Sequence, residues 1–279
     1  MTEGEAAPAA IGAPGTRNLR ARIIAALVLA PSAIAIAYVG GWLWAALVTL
    51  AAIGLYVEWL AIVGEARRIG VVASGVAALA LAGIVLPLQL ALVALPLGLL
   101  AVAALTPERR IWTTTGFIYA AAAEQASILL RSDPAMGWVA LMLVFLVVWV
   151  TDIGGYFAGR GFGGPKLWPR VSPNKTWAGA LGGFAASIAV ATGFAAFGLG
   201  KIGPMLLLGS ILSIVSQLGD LFESAVKRRF GVKDSSHIIP GHGGLLDRLD
   251  GFVAAVALAA IVGFLRRGAD GVGSGLMMW

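Results

Sequence analysis

The chain has no cysteine, only two histidines and few charged residues, which make up 12% of its 279 positions. Without cysteine there is no disulfide bond, no thiolate metal site and no cysteine nucleophile. Two histidines argue against a zinc site, because zinc is held mainly by histidine and cysteine. Instead, 59% of the residues are hydrophobic and the mean hydropathy is +0.90. A soluble protein of this length could not cover so much apolar surface, so we predict a polytopic integral membrane protein.

Nine apolar runs divide the chain, and each predicts a membrane-spanning helix. The predicted fold class is therefore all-α, with about nine transmembrane helices. The spans are residues 22–39, 42–63, 70–86, 88–105, 112–130, 137–158, 177–199, 202–222 and 251–265. Pro87 lies between the third and fourth spans, which should form a tight hairpin. The fifth span carries Glu124 and Gln125 and is the least regular of the nine.

The basic residues are distributed unevenly between the two ends of these spans. If the N-terminus lies inside, sixteen of the twenty lysines and arginines fall in inner segments, as the positive-inside rule requires. We therefore predict a cytoplasmic N-terminus and two long polar loops, after the sixth and eighth spans, on the cytoplasmic side. The basic residues on the cytoplasmic side explain the net charge of +6, so no nucleic acid partner is predicted.

The eighth span carries a polar stripe along one helical face. Its members recur at steps of three and four: Ser213, Ser216, Gln217, Asp220, Glu223, Ser224 and Lys227. At membrane depth such a stripe must face protein or a water-filled cavity. Hydrogen bonds between helices would explain the serines. The carboxylate of Asp220 needs a cation or a metal ion as its partner.

Asp247 and Asp250 stand three residues apart at the start of the ninth span. Both could cap this helix, whose N-terminal dipole favours negative charge, and capping alone explains Asp250 equally well. Opposite Asp220, the pair would also make a carboxylate cluster suited to Mg²⁺, which prefers oxygen ligands. We therefore predict Asp220, Asp247 and Asp250 as metal ligands.

Basic residues and a glycine-rich turn surround these carboxylates. The cations are Lys227, Arg228, Lys233 and Arg248. They could bind anionic lipid headgroups. The turn His242-Gly243-Gly244 favours a second interpretation, because successive glycines let backbone N–H groups converge on a phosphate. We treat His242 as a contact to a phosphate or a base.

The loop after the sixth span repeats this combination of glycine and charge. One helical face carries Asp152, Gly155, Tyr156, Gly159 and Arg160, whose small members would let another helix or a ligand approach. Further along are four possible phosphate or base donors, Ser172, Asn174, Lys175 and Thr176. They precede the seventh span, where helix N–H groups are expected to be free. The alternative is a capped helix after a basic loop.

The run from Ser224 to Asp250 resembles the signature of the phosphatidate cytidylyltransferases, also called CDP-diacylglycerol synthases. The residues that carry this resemblance are Ser224, Val226, Lys227, Arg228, Lys233, Asp234, His242, Gly243, Gly244, Asp247, Arg248 and Asp250. The segments that begin at Asp152 and Ser172 also resemble the family. Together they cover roughly residues 151–265, whereas the first five spans agree only in being hydrophobic.

The resemblance implies transfer of CMP from CTP to phosphatidic acid, giving CDP-diacylglycerol and pyrophosphate. It implies Mg²⁺, allows a second, monovalent cation, and implies a homodimer whose lipid substrate enters sideways between helices. The expected catalytic residues are Asp220, Asp247, Lys227 and Arg228. The expected substrate-binding residues are Ser172, Asn174, Lys175, Thr176, Ser224, Lys233, Asp234, His242, Gly243, Gly244 and Arg248.

On this interpretation the chain divides into three parts. Residues 1–21 are predicted to be a disordered tail and residues 22–130 the N-terminal helices. Residues 131–279 would form a catalytic transmembrane region with two cytoplasmic loops. The predicted location is a bacterial inner membrane, with membrane lipids around the bundle and the active site facing the cytoplasm.

Three alternatives stay open. A CDP-alcohol phosphotransferase is disfavoured, because the run that begins at Asp250 lacks the arginine of that motif. A CTP-dependent polyprenol or phytol kinase is the closer alternative, and a substrate assay would separate it. A transporter is the non-enzyme alternative, and it would place charged groups near the middle of the bilayer and on both faces.

Overall fold

The computed structural model describes residues 30–236 and 243–279 of the chain, most of which are helical. The helices are Ala30–Val39 (α1), Gly41–Ile62 (α2), Ile69–Ala80 (α3), Leu88–Leu105 (α4), Arg110–Ser132 (α5), Gly137–Phe162 (α6), Trp177–Ala196 (α7), Ile202–Arg229 (α8), Leu246–Arg267 (α9) and Val272–Met277 (α10). A π-helical turn, Leu81–Val85, continues α3, and a 3₁₀ turn, Ala269–Gly271, precedes α10. Strands Lys166–Trp168 (β1) and Ser172–Thr176 (β2) form one antiparallel hairpin. The predicted all-α class is confirmed, apart from this hairpin.

Six of the described helices are long and apolar enough to cross a membrane: α2, α4, α6, α7, α8 and α9. Helix α1 and the α3 segment are apolar but shorter. These six helices agree with the predicted integral membrane protein, and the count of nine stays a prediction. The predicted tail, residues 1–21, and the start of the first span lie outside the described residues. The predicted hairpin is confirmed, because α4 follows Pro87 and packs against α3, where Gly98 lies next to Ala78.

Helices that follow one another run in alternating directions and give the bundle two ends. At one end the Arg109 side chain, just before α5, donates to the carbonyl of Val63, just after α2, at 2.5 Å. The same guanidinium lies 5.8 Å from the ring centroid of Phe230, just after α8. This end, which we call the loop end, also carries the β-hairpin and residues 230–236 and 243–245. The opposite end is called the far end.

At the far end one carboxylate fixes the C-terminal helix. Asp133, between α5 and α6, accepts hydrogen bonds from the backbone N–H groups of Ala135 at 2.8 Å, Met136 at 3.1 Å and Ser274 at 2.6 Å. Burial raises the pKa of the Asp133 carboxyl, but these hydrogen bonds outweigh it and hold the pKa below its usual value. Asp133 therefore stays ionised and ties α10 to the start of α6.

Glycines allow neighbouring helices to approach along three successive seams. A Cβ atom added to Gly179 of α7 would lie 2.8 Å from the carbonyl oxygen of Gly155 on α6. One added to Gly209 of α8 would lie 2.7 Å from Cβ of Ala191 on α7. On the α8–α9 seam, a Cβ on Gly219 would lie 2.7 Å from the Asp250 carbonyl oxygen. Helices α6 to α9 therefore pack almost backbone to backbone, as small residues permit in membranes.

Candidate active site

The α8–α9 seam brings two of the predicted carboxylates together at the loop end. Gly219 and Gly251 let the helices cross where Asp220 follows one glycine and Asp250 precedes the other. Asp220 lies within electrostatic reach of both Asp250 and Asp152 of α6. We call Asp152, Asp220 and Asp250 the acidic cleft.

Lys175 of β2 supplies a positive charge to this cleft. Its ammonium forms an ion pair with Asp220, and both side chains are 29% exposed. From the adjacent turn of α8, the hydroxyl of Ser224 lies 3.4 Å from the other Asp220 oxygen. The hairpin therefore delivers a cation to a cleft of three carboxylates that water can still reach.

A second charged group lies deeper, between α8 and the start of α9. The ammonium of Lys227 donates to Asp247 Oδ1 at 2.5 Å and lies 2.8 Å from Glu223 Oε2. Lys227 is 8% exposed and Glu223 is 1% exposed. We call these three residues the lysine network. One buried ammonium here bridges two carboxylates, so Lys227 holds the two helices together rather than pointing into open solvent.

The remaining oxygen of Asp247 is also engaged. Asp247 Oδ2 accepts from the Gly244 N–H at 2.9 Å and the Ser235 N–H at 3.1 Å, and the Ser235 hydroxyl oxygen lies 3.0 Å from it. Gly244 precedes the N-cap residue Leu245, so this contact holds the turn that leads into α9 and is not the capping bond that the sequence allowed. Glu223 lies within electrostatic reach of Asp247 and of Asp250, so the lysine network adjoins the acidic cleft.

The predicted metal ligands are therefore divided between these two groups. Asp220 and Asp250 lie in the acidic cleft, whereas Asp247 belongs to the lysine network. Within residues 30–236 and 243–279, no group of three or more aspartates, glutamates or histidines is arranged to hold a metal ion. Mg²⁺ requires less than this, because it binds through one or two carboxylates together with waters and substrate phosphates. The donor chemistry of Asp220 and Asp250 fits that ion.

The segment before α7 differs from the expectation. Ser172–Thr176 is a strand rather than a loop, and the Thr176 hydroxyl accepts from the Gly179 N–H at 3.1 Å. Thr176 is buried. The helix N-terminus that we expected to be free for phosphate is therefore capped at this N–H, as the alternative interpretation had it. Ser172 is partly exposed and Asn174 is exposed on the same strand.

Arg228 connects two segments of the loop end. Its Nε donates to the Val171 carbonyl at 3.4 Å and its Nη1 to the Val232 carbonyl at 3.2 Å. The other predicted charged contacts, Lys233, Asp234 and Arg248, are exposed at the same end. Gly243 adopts φ +80°, where only glycine is unstrained. His242 lies outside the described residues.

The polar and small faces that the sequence singled out mostly serve helix packing. The Thr151 hydroxyl of α6 donates to Ser213 of α8 at 3.0 Å, and Gln217 donates to the Ala180 carbonyl of α7 at 3.4 Å. The predicted hydrogen bonding between helices is thus confirmed for Ser213 and Gln217 of the stripe. Gly155 faces α7, so the glycine face of α6 admits a helix.

Sequence reasoning missed Glu58, which reaches the site from α2. This buried carboxylate accepts hydrogen bonds from Ser235, Ser236, Leu245 and Leu246. A signal was present, because Glu58 is an ionisable residue within an apolar span, and such residues usually mark a site. The same signal led to the prediction for Asp220.

The sequence is similar to known proteins over most of its length. The family described as the Cytidylyltransferase family matches residues 20–265, which include the N-terminal helices. A protein of Brucella suis biovar 1 (strain 1330), named phosphatidate cytidylyltransferase, is 43% identical over 255 residues, covering 88% of this chain and 93% of that protein. The protein of the same name from Staphylococcus haemolyticus (strain JCSC1435) is 50% identical over 135 residues, covering 47% of this chain and 50% of that protein.

Proposed function

We propose, from the premise that this chain belongs to the cytidylyltransferase family, that it transfers CMP from CTP to phosphatidic acid. The products would be CDP-diacylglycerol and pyrophosphate. The observation that carries this proposal is the 43% identity, over 88% of the chain, to a protein named phosphatidate cytidylyltransferase. The charged groups described above support it, because they gather at one end of an apolar bundle where a lipid phosphate and a nucleotide could meet.

The proposed reaction does not require the protein to transfer a proton. A phosphate oxygen of phosphatidic acid attacks the α-phosphorus of CTP, and the bond from that phosphorus to the bridging oxygen breaks. Pyrophosphate leaves with the electron pair. The attacking oxygen is already ionised at neutral pH, so no general base is needed. The side chains instead align two anions and offset their repulsion.

We further propose that Asp220 and Asp250 would hold Mg²⁺, with Asp247 beside them. The acidic cleft sets three carboxylates against Lys175, which leaves it with the charge to attract a cation, and a second, monovalent cation could share it. When bound, Mg²⁺ would neutralise charge on the nucleotide phosphates. Lys227 of α8 pairs with Asp247 and so holds the first turn of α9, which keeps the carboxylates in place.

The basic side chains are proposed to divide the two substrates between them. Arg228, which donates to the Val232 carbonyl just after α8, would meet CTP, whereas Lys175, which pairs with Asp220 from the hairpin, would meet the lipid phosphate. Charge-assisted hydrogen bonds to phosphate contribute about 1.5–3 kcal/mol each.

Arg228→Ala should therefore raise KM for CTP by about one to two orders of magnitude, and Lys175→Ala should raise KM for phosphatidic acid by the same factor. Steady-state kinetics with each substrate varied would measure this. Equal losses against both substrates would contradict the division.

The loop end is proposed to face the cytoplasm of a bacterial inner membrane, where CTP is available. Since the chain has no cysteine, a single introduced cysteine can be labelled without background. In intact spheroplasts an impermeant thiol reagent should label Asp270→Cys at the far end and leave Glu108→Cys at the loop end unlabelled. Inverted vesicles should show the opposite. Labelling of both positions from one side would contradict the alternating order of the helices.

A direct assay tests the proposed activity. Purified protein in detergent would receive radiolabelled CTP and phosphatidic acid, with and without Mg²⁺, and lipid-soluble label and released pyrophosphate would be measured. The proposal requires both products in equal amounts. In a parallel assay with a polyprenol or phytol in place of phosphatidic acid, release of CDP with transfer of a single phosphate would identify a kinase instead. The mass of the detergent-solubilised complex would test the proposed homodimer.

A further inference from the structure

Glu58 is a buried carboxylate whose two oxygens each accept two hydrogen bonds. Oε1 accepts from the Ser236 hydroxyl at 2.6 Å and the Leu245 N–H at 2.8 Å. Oε2 accepts from the Ser235 hydroxyl at 2.9 Å and the Leu246 N–H at 2.8 Å. The side chain is 1% exposed. A carboxylate engaged in this way has no oxygen directed at solvent or at a substrate.

The two backbone donors belong to the start of α9. The first N–H groups of a helix have no partner within the helix, and the N-cap side chain usually supplies one. Here the N-cap residue is Leu245, whose side chain cannot accept a hydrogen bond, and no cap of its own is formed. Glu58, 187 residues away along the chain, supplies the acceptors instead. Helix α9 is thus capped from α2.

Ser235 connects Glu58 to the lysine network. Its hydroxyl oxygen lies 2.9 Å from Glu58 Oε2 and 3.0 Å from Asp247 Oδ2, although it has only one proton to donate. Gly244 allows this convergence, because a Cβ atom there would lie 2.6 Å from Glu58 Oε2. The second glycine of the turn therefore makes room for a protein carboxylate.

We propose that Glu58 is a positioning residue that fixes the first turn of α9, and with it Asp247 and Asp250, without touching either substrate. This inference rests on the proposed function only for its kinetic consequence. Its structural part is independent of the reaction. Orientation of this kind governs turnover more than ground-state binding, because small misplacements of reacting groups are costly.

The full-length protein in detergent provides the test, with the variant Glu58→Gln. The amide keeps the shape of the side chain but turns one acceptor into a donor that faces existing donors. Hydrogen–deuterium exchange at Leu245 and Leu246 should become about ten- to a hundredfold faster. In the cytidylyltransferase assay, kcat should fall at least about tenfold while KM for CTP changes by less than about threefold. Glu58→Asp, which keeps the charge on a shorter side chain, should lie between Glu58→Gln and the unaltered protein in both measurements.

Glu124→Gln is the matched control, since Glu124 is also a fully buried glutamate but lies on α5, apart from this hydrogen-bond group. It should leave exchange at Leu245 and Leu246 unchanged. Equal acceleration in both variants would overturn the proposal, and so would unchanged exchange in Glu58→Gln. If Glu58→Gln does not fold, Ser236→Ala removes one donor only, and faster exchange at Leu245 is again required.

The two proposals fail separately. An unaltered protein without cytidylyl transfer would refute the proposed function, yet the exchange measurements would still decide the role of Glu58. Faster exchange in Glu58→Gln with unchanged kcat would retain the capping contact and overturn the positioning role.

Discussion

Replacing Asp220 with asparagine should abolish turnover, with a loss of at least about a hundredfold. Asp220 is the carboxylate through which the cleft meets Lys175, and it lies within reach of Asp152 and Asp250. An amide of the same size removes the negative charge that would hold a cation, while the helix packing at Gly219 is untouched. The variant should therefore be expressed and extracted like the unaltered protein.

Initial rates at saturating CTP and phosphatidic acid would measure the effect. Asp270→Asn provides the control, because Asp270 is an exposed carboxylate at the far end. A residual rate above about a tenth, a loss of less than about 1.4 kcal/mol in barrier, would reject a metal-binding role for Asp220. Asp247→Asn should be comparably damaging, because Asp247 pairs with the buried ammonium of Lys227.

Gly219→Val should separate α8 from α9 and remove most activity together with some stability. A Cβ atom at this position would lie 2.7 Å from both the Asp250 carbonyl oxygen and Ala254 Cβ, and valine adds two further carbons. Backbone and a neighbouring side chain cannot both move aside without shifting the helices. Overpacking of this kind costs about 1–3 kcal/mol. The displacement also moves Asp220 away from Asp250, so the rate should fall at least about a hundredfold.

The same substitution at Gly203 is the control, since it lies on the same helix and nothing lies within 4 Å of an added Cβ atom there. Thermal unfolding in detergent and the transfer assay would be compared for the two variants. Gly219→Val should lower the unfolding midpoint by several degrees, roughly 2–4 °C for each kcal/mol lost. Equal behaviour of the two variants would show that the seam does not set the geometry of the site.

The helices were predictable from the sequence because a membrane span must be apolar over its whole length. The predicted bounds of α4, residues 88–105, match the structure at both ends. The start of the helix was predictable because Pro87 ends the preceding helix. The apolar span predicted for α8 ended at residue 222, and the polar stripe carried the predicted helical face on to Lys227. The structure ends α8 at Arg229, and the charged Glu223 and Lys227 pair with each other within it.

The partners within the site were not predictable in the same way. Periodicity placed Asp220 and Lys227 on one face of α8, but it could not show that Lys175 would reach one of them and Asp247 the other. Those contacts depend on the β-hairpin and on the crossing of α8 with α9. Glu58 is farther still along the chain, and its partners are backbone N–H groups, which leave no trace in the sequence of side chains.

The glycine contacts between α6, α7, α8 and α9 also limit the path of a lipid. At these contacts the three boundaries leave less room than a methyl group, so the acyl tails of a phospholipid would not pass between the helices there. On the proposed function the tails would stay in the bilayer beside the bundle, and the exposed Ile153 and Phe157 give α6 an apolar outer surface of this kind. Only the phosphate would then bend inward past the helix ends, and acyl-chain selectivity would be governed by that outer surface.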